Sequence, residues 1–187
     1  MARFSLNLND ANITLFDGEK IVYREPGFAS IKNDEIFCGI PAYENWRLDP
    51  RRTYHKFWMD LSTKAIPEER FSHLCPGDLA SFQIENIWRK HGSGVKELIV
   101  IVPQNMTVDN LGLFLGIADD LDLPVVSLID AAVAATRRQY KDALLIHIDL
   151  GLHLAYVSRL SQVGMTQIDR YEIIQDTGLL KLYECWV

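Results

Sequence analysis

Long apolar runs are missing from this chain of 187 residues. No segment approaches the ~20 consecutive apolar residues that a membrane-spanning helix needs. The N-terminal stretch MARFSLNLND carries only a short apolar run, which polar residues interrupt, and this is not the pattern of a secretory signal peptide. We therefore expect a protein that neither crosses nor binds a membrane.

Cysteine is scarce, and the three cysteines are Cys38, Cys75 and Cys185. An odd number at wide spacing argues against both a disulfide framework and a zinc site. This usage is typical of a reducing compartment and predicts a cytoplasmic protein.

An excess of positive charge is also absent, because the formal net charge is −6 and no long basic run occurs. The short cluster of Arg51, Arg52, His55 and Lys56 forms either a local positive patch or a solvated loop, and the loop is the favoured interpretation. The charge balance thus disfavours a nucleic acid as partner.

What the chain does have is a 48% hydrophobic content, enough for the core of one sizeable domain or of one domain plus part of another. The first forty residues alternate in polarity and predict short antiparallel strands, with the polar pair Asn9-Asp10 at the first turn. The predicted strands are 3–8, 11–16 and 20–24, followed by a hairpin over 28–37.

Four prolines interrupt residues 41–76, which predicts an irregular excursion with short helical pieces. Helices and fully buried strands then alternate. In order, we expect a helix capped by Asp78, a strand over 97–102, a helix capped by Thr107, a strand over 124–128, a short helix after Asp130 and a strand over 143–149. Two alternating strands near 153–160 and 163–174 and a helix from Thr177 complete the chain.

This order predicts an α/β fold with a mixed sheet and helices on both faces, as in a ribonuclease H-like unit. Residues 1–140 form the first such lobe, with the irregular insertion at about 41–76. A fresh set of antiparallel strands opens a second, incomplete lobe over 141–187.

Two duplicated units of this kind resemble the actin-like ATPase superfamily. The resemblance is closest to the N-terminal part of the DnaK-like heat-shock chaperones, in three stretches. They are FSLNLNDANITLFDG, ELIVIVPQNMTVDNLGLFLGIADDLDLPVVSLIDAAVAAT and LLIHIDLG. The resemblance implies ATP between two lobes, with its phosphates held by two glycine-rich turns and its Mg²⁺ by carboxylates.

At the first turn, the resemblance places Asn7 at the position of the metal-binding aspartate and Asn9 at that of the first glycine. Asp10 and Ala11 stand where hydroxyl side chains are usual. Asn7 has no charge, although it can accept a hydrogen bond from a metal-bound water. Asp10 either replaces the missing acid or, with Asn9, simply forms a hairpin turn, and the turn is favoured.

At the second turn, Asp149 and Gly151 match the family pattern and assign Asp149 to the metal. Leu152, His153 and Leu154 stand where glycines and threonine belong. We expect the leucine side chains to project into the phosphate space. His153 either donates to a phosphate or is an ordinary surface residue, and the surface role is favoured.

Two further positions complete the implied site. Asp130 lies beside the position of the glutamate that orients the attacking water, although a helix N-cap is the favoured role. Lys56 is the candidate for the lysine that contacts phosphate.

Only Asp149 keeps both its type and its local frame, so we expect weak or no ATP hydrolysis and a function through protein binding or assembly. A divergent ATPase that uses Asp10 and Asp130 is the alternative. A sugar-kinase-like phosphotransferase is disfavoured because no candidate base stands out. The sheet over 142–175 should expose an edge and an apolar face, which predicts that the chain either self-associates or packs this sheet back onto the first lobe.

Overall fold

The computed structural model of the protein describes residues 2–186, and these residues form an α/β fold with a mixed sheet and several helices. The strands are β1 Arg3–Asn7, β2 Ile13–Phe16, β3 Ile21–Glu25, β4 Ala29–Lys32, β5 Glu35–Cys38, β6 Thr53–Tyr54, β7 Glu97–Val102, β8 Val125–Asp130, β9 Leu145–Leu150, β10 Ala155–Ser161 and β11 Gln167–Ile174. The helices are α1 Ile40–Asn45, α2 Pro76–His91, α3 Val108–Asp120, α4 Ala131–Ala134 and α5 Leu179–Cys185.

The first sheet has the strand order β3-β2-β1-β7-β8. Strands β1, β2 and β3 pair antiparallel, whereas β7 pairs parallel with both β1 and β8. The predicted mixed sheet is therefore confirmed. Asn7 ends β1 opposite Thr14 on one side and Ile101 on the other, which brings the first turn to the carboxyl ends of the parallel strands.

Helices α2 and α3 pack against the same face of this sheet. The face carries buried side chains at alternate positions of β2 and β7, as the period of two requires. With the helices they form the main core, which includes Leu6, Leu8, Ile13, Leu15, Leu79, Ile84, Leu98, Val100, Phe114 and Ala118. The opposite face carries Ser5, Asn7 and Thr14, which are only half-buried.

Helix starts follow side-chain capping. Thr107 caps α3 as predicted, because its hydroxyl oxygen accepts from Asn110 N. Asp78 is not the cap of α2, because the helix already begins at Pro76 and Asp78 accepts from Cys75 N at 2.7 Å. The helix predicted to follow Asp130 is shorter than expected and ends at Ala134.

The excursion over residues 41–76 consists of short helical pieces and the small strand β6, as predicted. Strand β6 joins β4 and β5 in a second sheet of order β5-β4-β6. Several aromatic and aliphatic side chains of the excursion enter the main core: Phe57, Trp58, Leu61, Ile66 and Phe71. The Trp58 indole donates to Gln83 Oε1 of α2 at 2.9 Å, which holds the excursion against the helix layer.

Strands β9, β10 and β11 form a third, antiparallel sheet of order β11-β10-β9. The predictions that β8 and β9 are buried on both faces were wrong. Both are edge strands, and Val126 of β8 is 57% exposed while Ile148 of β9 is 66% exposed. No helix in residues 2–186 is both long and apolar enough to cross a membrane.

Candidate functional site

The turn after β1 and the turn after β9 meet each other directly. Asn9 Oδ1 accepts from Ala11 N at 2.9 Å, which forms the predicted polar turn. The same side chain reaches the second turn, where Asn9 Nδ2 donates to the Leu150 carbonyl oxygen at 3.1 Å. Asn9 therefore joins two segments that lie 141 residues apart in the sequence.

Asp10 makes the second link between the turns. Its Oδ1 accepts from Leu152 N at 2.8 Å, and its backbone oxygen accepts from Gly27 N at 2.7 Å. Gly151 makes this approach possible, because a Cβ at that position would lie 2.7 Å from Asp10 Oδ1. The carboxylate thus accepts a hydrogen bond from a backbone N–H in the second turn, and the resemblance implies that this turn would bind a phosphate.

Burial dominates the electrostatics of Asp10, which is only 7% exposed. Loss of hydration raises the pKa of its carboxyl group from 3.8 to about 6, and the nearby Asp149 adds to the increase. Hydrogen bonds from the backbone N–H groups of Leu152 and Ala11 oppose this change because they favour the charged form. Near neutral pH, Asp10 is a buried anion within the protein.

Leu152 and Leu154 follow Gly151 in the second turn, and their side chains point into the protein. Both side chains are buried. Leu152 packs in a small second core with Phe28, Ala42 and Leu180. Burying a leucine side chain contributes about 1.5–3 kcal/mol, so the residue stabilises contact between the turns.

Helix α5 holds the second turn from the other side. Leu179 N donates to the Gly151 carbonyl oxygen at 2.9 Å, and Leu180 N donates to the Leu152 carbonyl oxygen at 3.1 Å. Gly178 permits this contact, since a Cβ there would lie 2.3 Å from the Leu152 oxygen. Two N–H groups at the start of a helix, which have no partner within it, are satisfied in this way.

His153 is partly exposed and stacks on His55, with ring centroids 4.9 Å apart. His153 Nε2 lies 3.0 Å from His55 Nδ1 and 3.1 Å from the His55 carbonyl oxygen. Burial lowers the pKa of both imidazoles, to about 4 for His55. The neutral pair connects the excursion to the second turn, and nothing in the sequence marks two histidines 98 residues apart as neighbours.

Asp130 is the N-cap of α4, because its Oδ1 accepts from Ala132 N at 2.8 Å. The favoured interpretation of this residue is therefore confirmed. Gln104, which sequence reasoning missed, donates to both Asp130 Oδ1 and Ser158 Oγ at 3.1 Å. The sequence signal that could have identified Gln104 is its position as a polar residue directly after a buried strand and a proline. Burial raises the pKa of Asp130.

The remaining predicted residues are divided between different places. Asn7 Oδ1 accepts from Asn9 N at 3.2 Å, and its side chain lines a cavity on the open face of the first sheet. Asp149 lies on β9 opposite Tyr156, near enough to Asp10 to influence its pKa. Lys56 is exposed and lines a separate cavity with Asp60.

These residues do not fit a triphosphate between the two turns. At the points of contact the space is filled by the Asp10 carboxylate, the Asn9 amide and the buried Leu152 side chain. Within residues 2–186, no group of three or more histidine, cysteine, aspartate or glutamate side chains is placed to hold a metal ion.

Comparison with protein families and with curated proteins finds no match to this chain.

Proposed function

We propose that this chain is the N-terminal part of an actin-like superfamily protein, of DnaK-like type, that acts through protein binding or assembly and does not hydrolyse ATP. The strand order of the first sheet, in which three antiparallel strands precede two parallel ones, supports a ribonuclease H-like lobe. The separate antiparallel sheet of β9, β10 and β11 supports the start of a second lobe. On this proposal, the boundary lies near residue 140.

The observation that carries the proposal is the hydrogen bond between Asp10 Oδ1 and Leu152 N. A phosphate needs free backbone N–H groups, and this N–H already holds an anion that belongs to the protein. Entry of a phosphate would break this bond, at a cost of about 1.5–3 kcal/mol for a charged acceptor, and would place two anions together. Asp10 and Asp130 both accept hydrogen bonds from backbone N–H groups. This structural role argues against the alternative of a divergent ATPase that uses them as catalytic acids.

Calorimetric titration of the full-length protein with MgATP, paired with an assay of phosphate release, tests the proposal. We expect no released phosphate. Titration with MgADP and with Mg²⁺ alone controls for binding without turnover and for heat from the metal. Micromolar binding of MgATP together with turnover would refute the proposal.

A further inference from the structure

The face of the first sheet opposite α2 and α3 carries a cavity of about 340 Å³, here called the outer-face pocket. Strands β1, β2, β3 and β7 contribute its floor, and the chain just after α4 contributes one wall. Its polar lining includes Ser5, Asn7, Arg24 and Arg137, and its apolar lining includes Phe16 and Ile21. The residues of the second turn take no part in it.

Two exposed arginines line this pocket. Arg24 comes from β3 and Arg137 follows α4, so two separate segments each contribute an arginine to the lining. Neither forms an ion pair with any residue in 2–186, and no carboxylate lines the pocket. Four other arginines do form ion pairs: Arg3, Arg52, Arg159 and Arg170. The charged side chains that line the pocket are therefore all positive, although the chain as a whole has a net charge of −6.

The neutral polar groups of the pocket add further donors. Asn7 Oδ1 is occupied by Asn9 N, which leaves the Asn7 Nδ2 group without an acceptor among the described residues. The Ser5 hydroxyl also donates to no described residue, whereas the Thr14 hydroxyl already donates to the Asn12 carbonyl oxygen at 3.0 Å. A ligand rich in acceptors would satisfy this set of donors.

We propose that the outer-face pocket binds a small organic phosphate. A phosphate monoester is a dianion, which matches a lining whose two charged side chains are both arginines, and guanidinium groups bind phosphate oxygens with paired N–H donors. The cavity has more room than a lone phosphate requires, so the organic portion lies against Phe16 and Ile21. This site stands independently of the function proposed above.

The test is calorimetric titration of the full-length protein with phenyl phosphate, inorganic phosphate and benzoate. We expect phenyl phosphate to bind most tightly, because only it offers both the dianion and an apolar ring. Arg24→Gln and Arg137→Gln should each weaken its binding about tenfold, the usual effect of losing a hydrogen bond to a charged group. Arg51→Gln, which removes an exposed arginine outside the pocket, should leave the affinity unchanged.

Several results would overturn this assignment. Absence of saturable binding, equal weakening by Arg51→Gln, or benzoate binding as tight as phenyl phosphate would each exclude a phosphate site in the pocket. Asp10→Asn distinguishes the two candidate regions. If that variant alters phosphate binding and Arg24→Gln does not, the phosphate lies at the turns, whereas the reverse result supports the outer-face pocket.

Discussion

Asp10 and His55 are buried titratable side chains whose pKa values change in opposite directions over the same pH range. The raised pKa of Asp10 means that its contribution to stability is present below about pH 4 and is lost as the pH rises through about 6. The lowered pKa of His55 means that its contribution is present above about pH 6.5 and is lost as the pH falls through about 4. The two dependences therefore offset each other in the natural protein.

Replacing Asp10 with asparagine should remove the contribution of Asp10 to the pH dependence of stability. The asparagine side chain would keep an oxygen acceptor for Leu152 N but would carry no buried charge, so the variant should gain stability relative to the natural protein as the pH rises from about 4 to 7. Over this pH range, the unfolding free energy of the variant should rise by about 3 kcal/mol relative to that of the natural protein. This value corresponds to the increase in the pKa of Asp10 from 3.8 to about 6. Urea unfolding at several pH values measures it.

Asp119→Asn is the matched control, because Asp119 is an exposed carboxylate on α3. The stability difference measured for this variant gives the effect of removing one surface carboxylate and is subtracted from that of Asp10→Asn. If the difference in unfolding free energy between Asp10→Asn and the natural protein is then independent of pH, Asp10 is not a buried anion in solution.

At the scale of elements, the turn between β9 and β10 is fixed from two sides. Asp10 holds one of its N–H groups, and the first N–H groups of α5 hold two of its carbonyl oxygens. Both contacts depend on glycines at points of close approach, Gly151 and Gly178. The arrangement is tightest at Gly178, where the neighbouring atoms belong to the backbone and cannot move aside as a side chain can.

Gly178→Ala should consequently destabilise the protein by about 2 kcal/mol or more, because the new methyl group would overlap the Leu152 carbonyl group. Gly116→Ala is the matched control on α3, where a Cβ meets no atom within 4 Å. That variant should gain up to about 1 kcal/mol from helix propensity. Thermal and urea unfolding compare the two. Equal stability of the two variants would show that α5 does not contact the turn closely.

Strand β9 is an edge strand with no second neighbour among residues 2–186, and isoleucines are exposed on one face of its sheet. Ile146, Ile148 and Ile174 share that face and are exposed, as the sequence led us to expect for this sheet. Such an edge favours pairing with another chain, so we propose that the protein self-associates through it. Ile148→Lys should shift the protein towards monomer in light scattering, since a charged side chain on an edge strand opposes pairing.

Val163→Lys adds the same charge in the loop between β10 and β11, where Val163 is 89% exposed and lies off the edge. This control should associate as the natural protein does. A natural protein that is monomeric at every concentration tested would contradict self-association through β9.

At the scale of the whole molecule, the sequence predicted the order of the elements well, because hydrophobic period and capping residues are local signals. It misjudged β8 and β9, because an apolar run does not reveal whether another layer covers the strand. The two turns were located correctly as Asn9-Asp10 and Asp149–Gly151. Their direct contact was beyond prediction, because it depends on side chains about 140 residues apart, such as Asn9 and Leu150.

The resemblance to the actin-like superfamily and the cytoplasmic location both stay predictions, as does binding to protein partners. The proposed loss of ATP hydrolysis rests on the closed contact between the two turns. The account therefore depends on whether the Leu152 N–H is held by Asp10 in solution.

The NMR signal of the Leu152 amide tests this claim most directly, when it is followed during a pH titration and then during addition of MgATP. We predict that its chemical shift changes with a midpoint near the pKa of Asp10, about 6, and that MgATP leaves it unchanged. A Leu152 amide that ignores pH in this range but shifts saturably with MgATP would contradict the account.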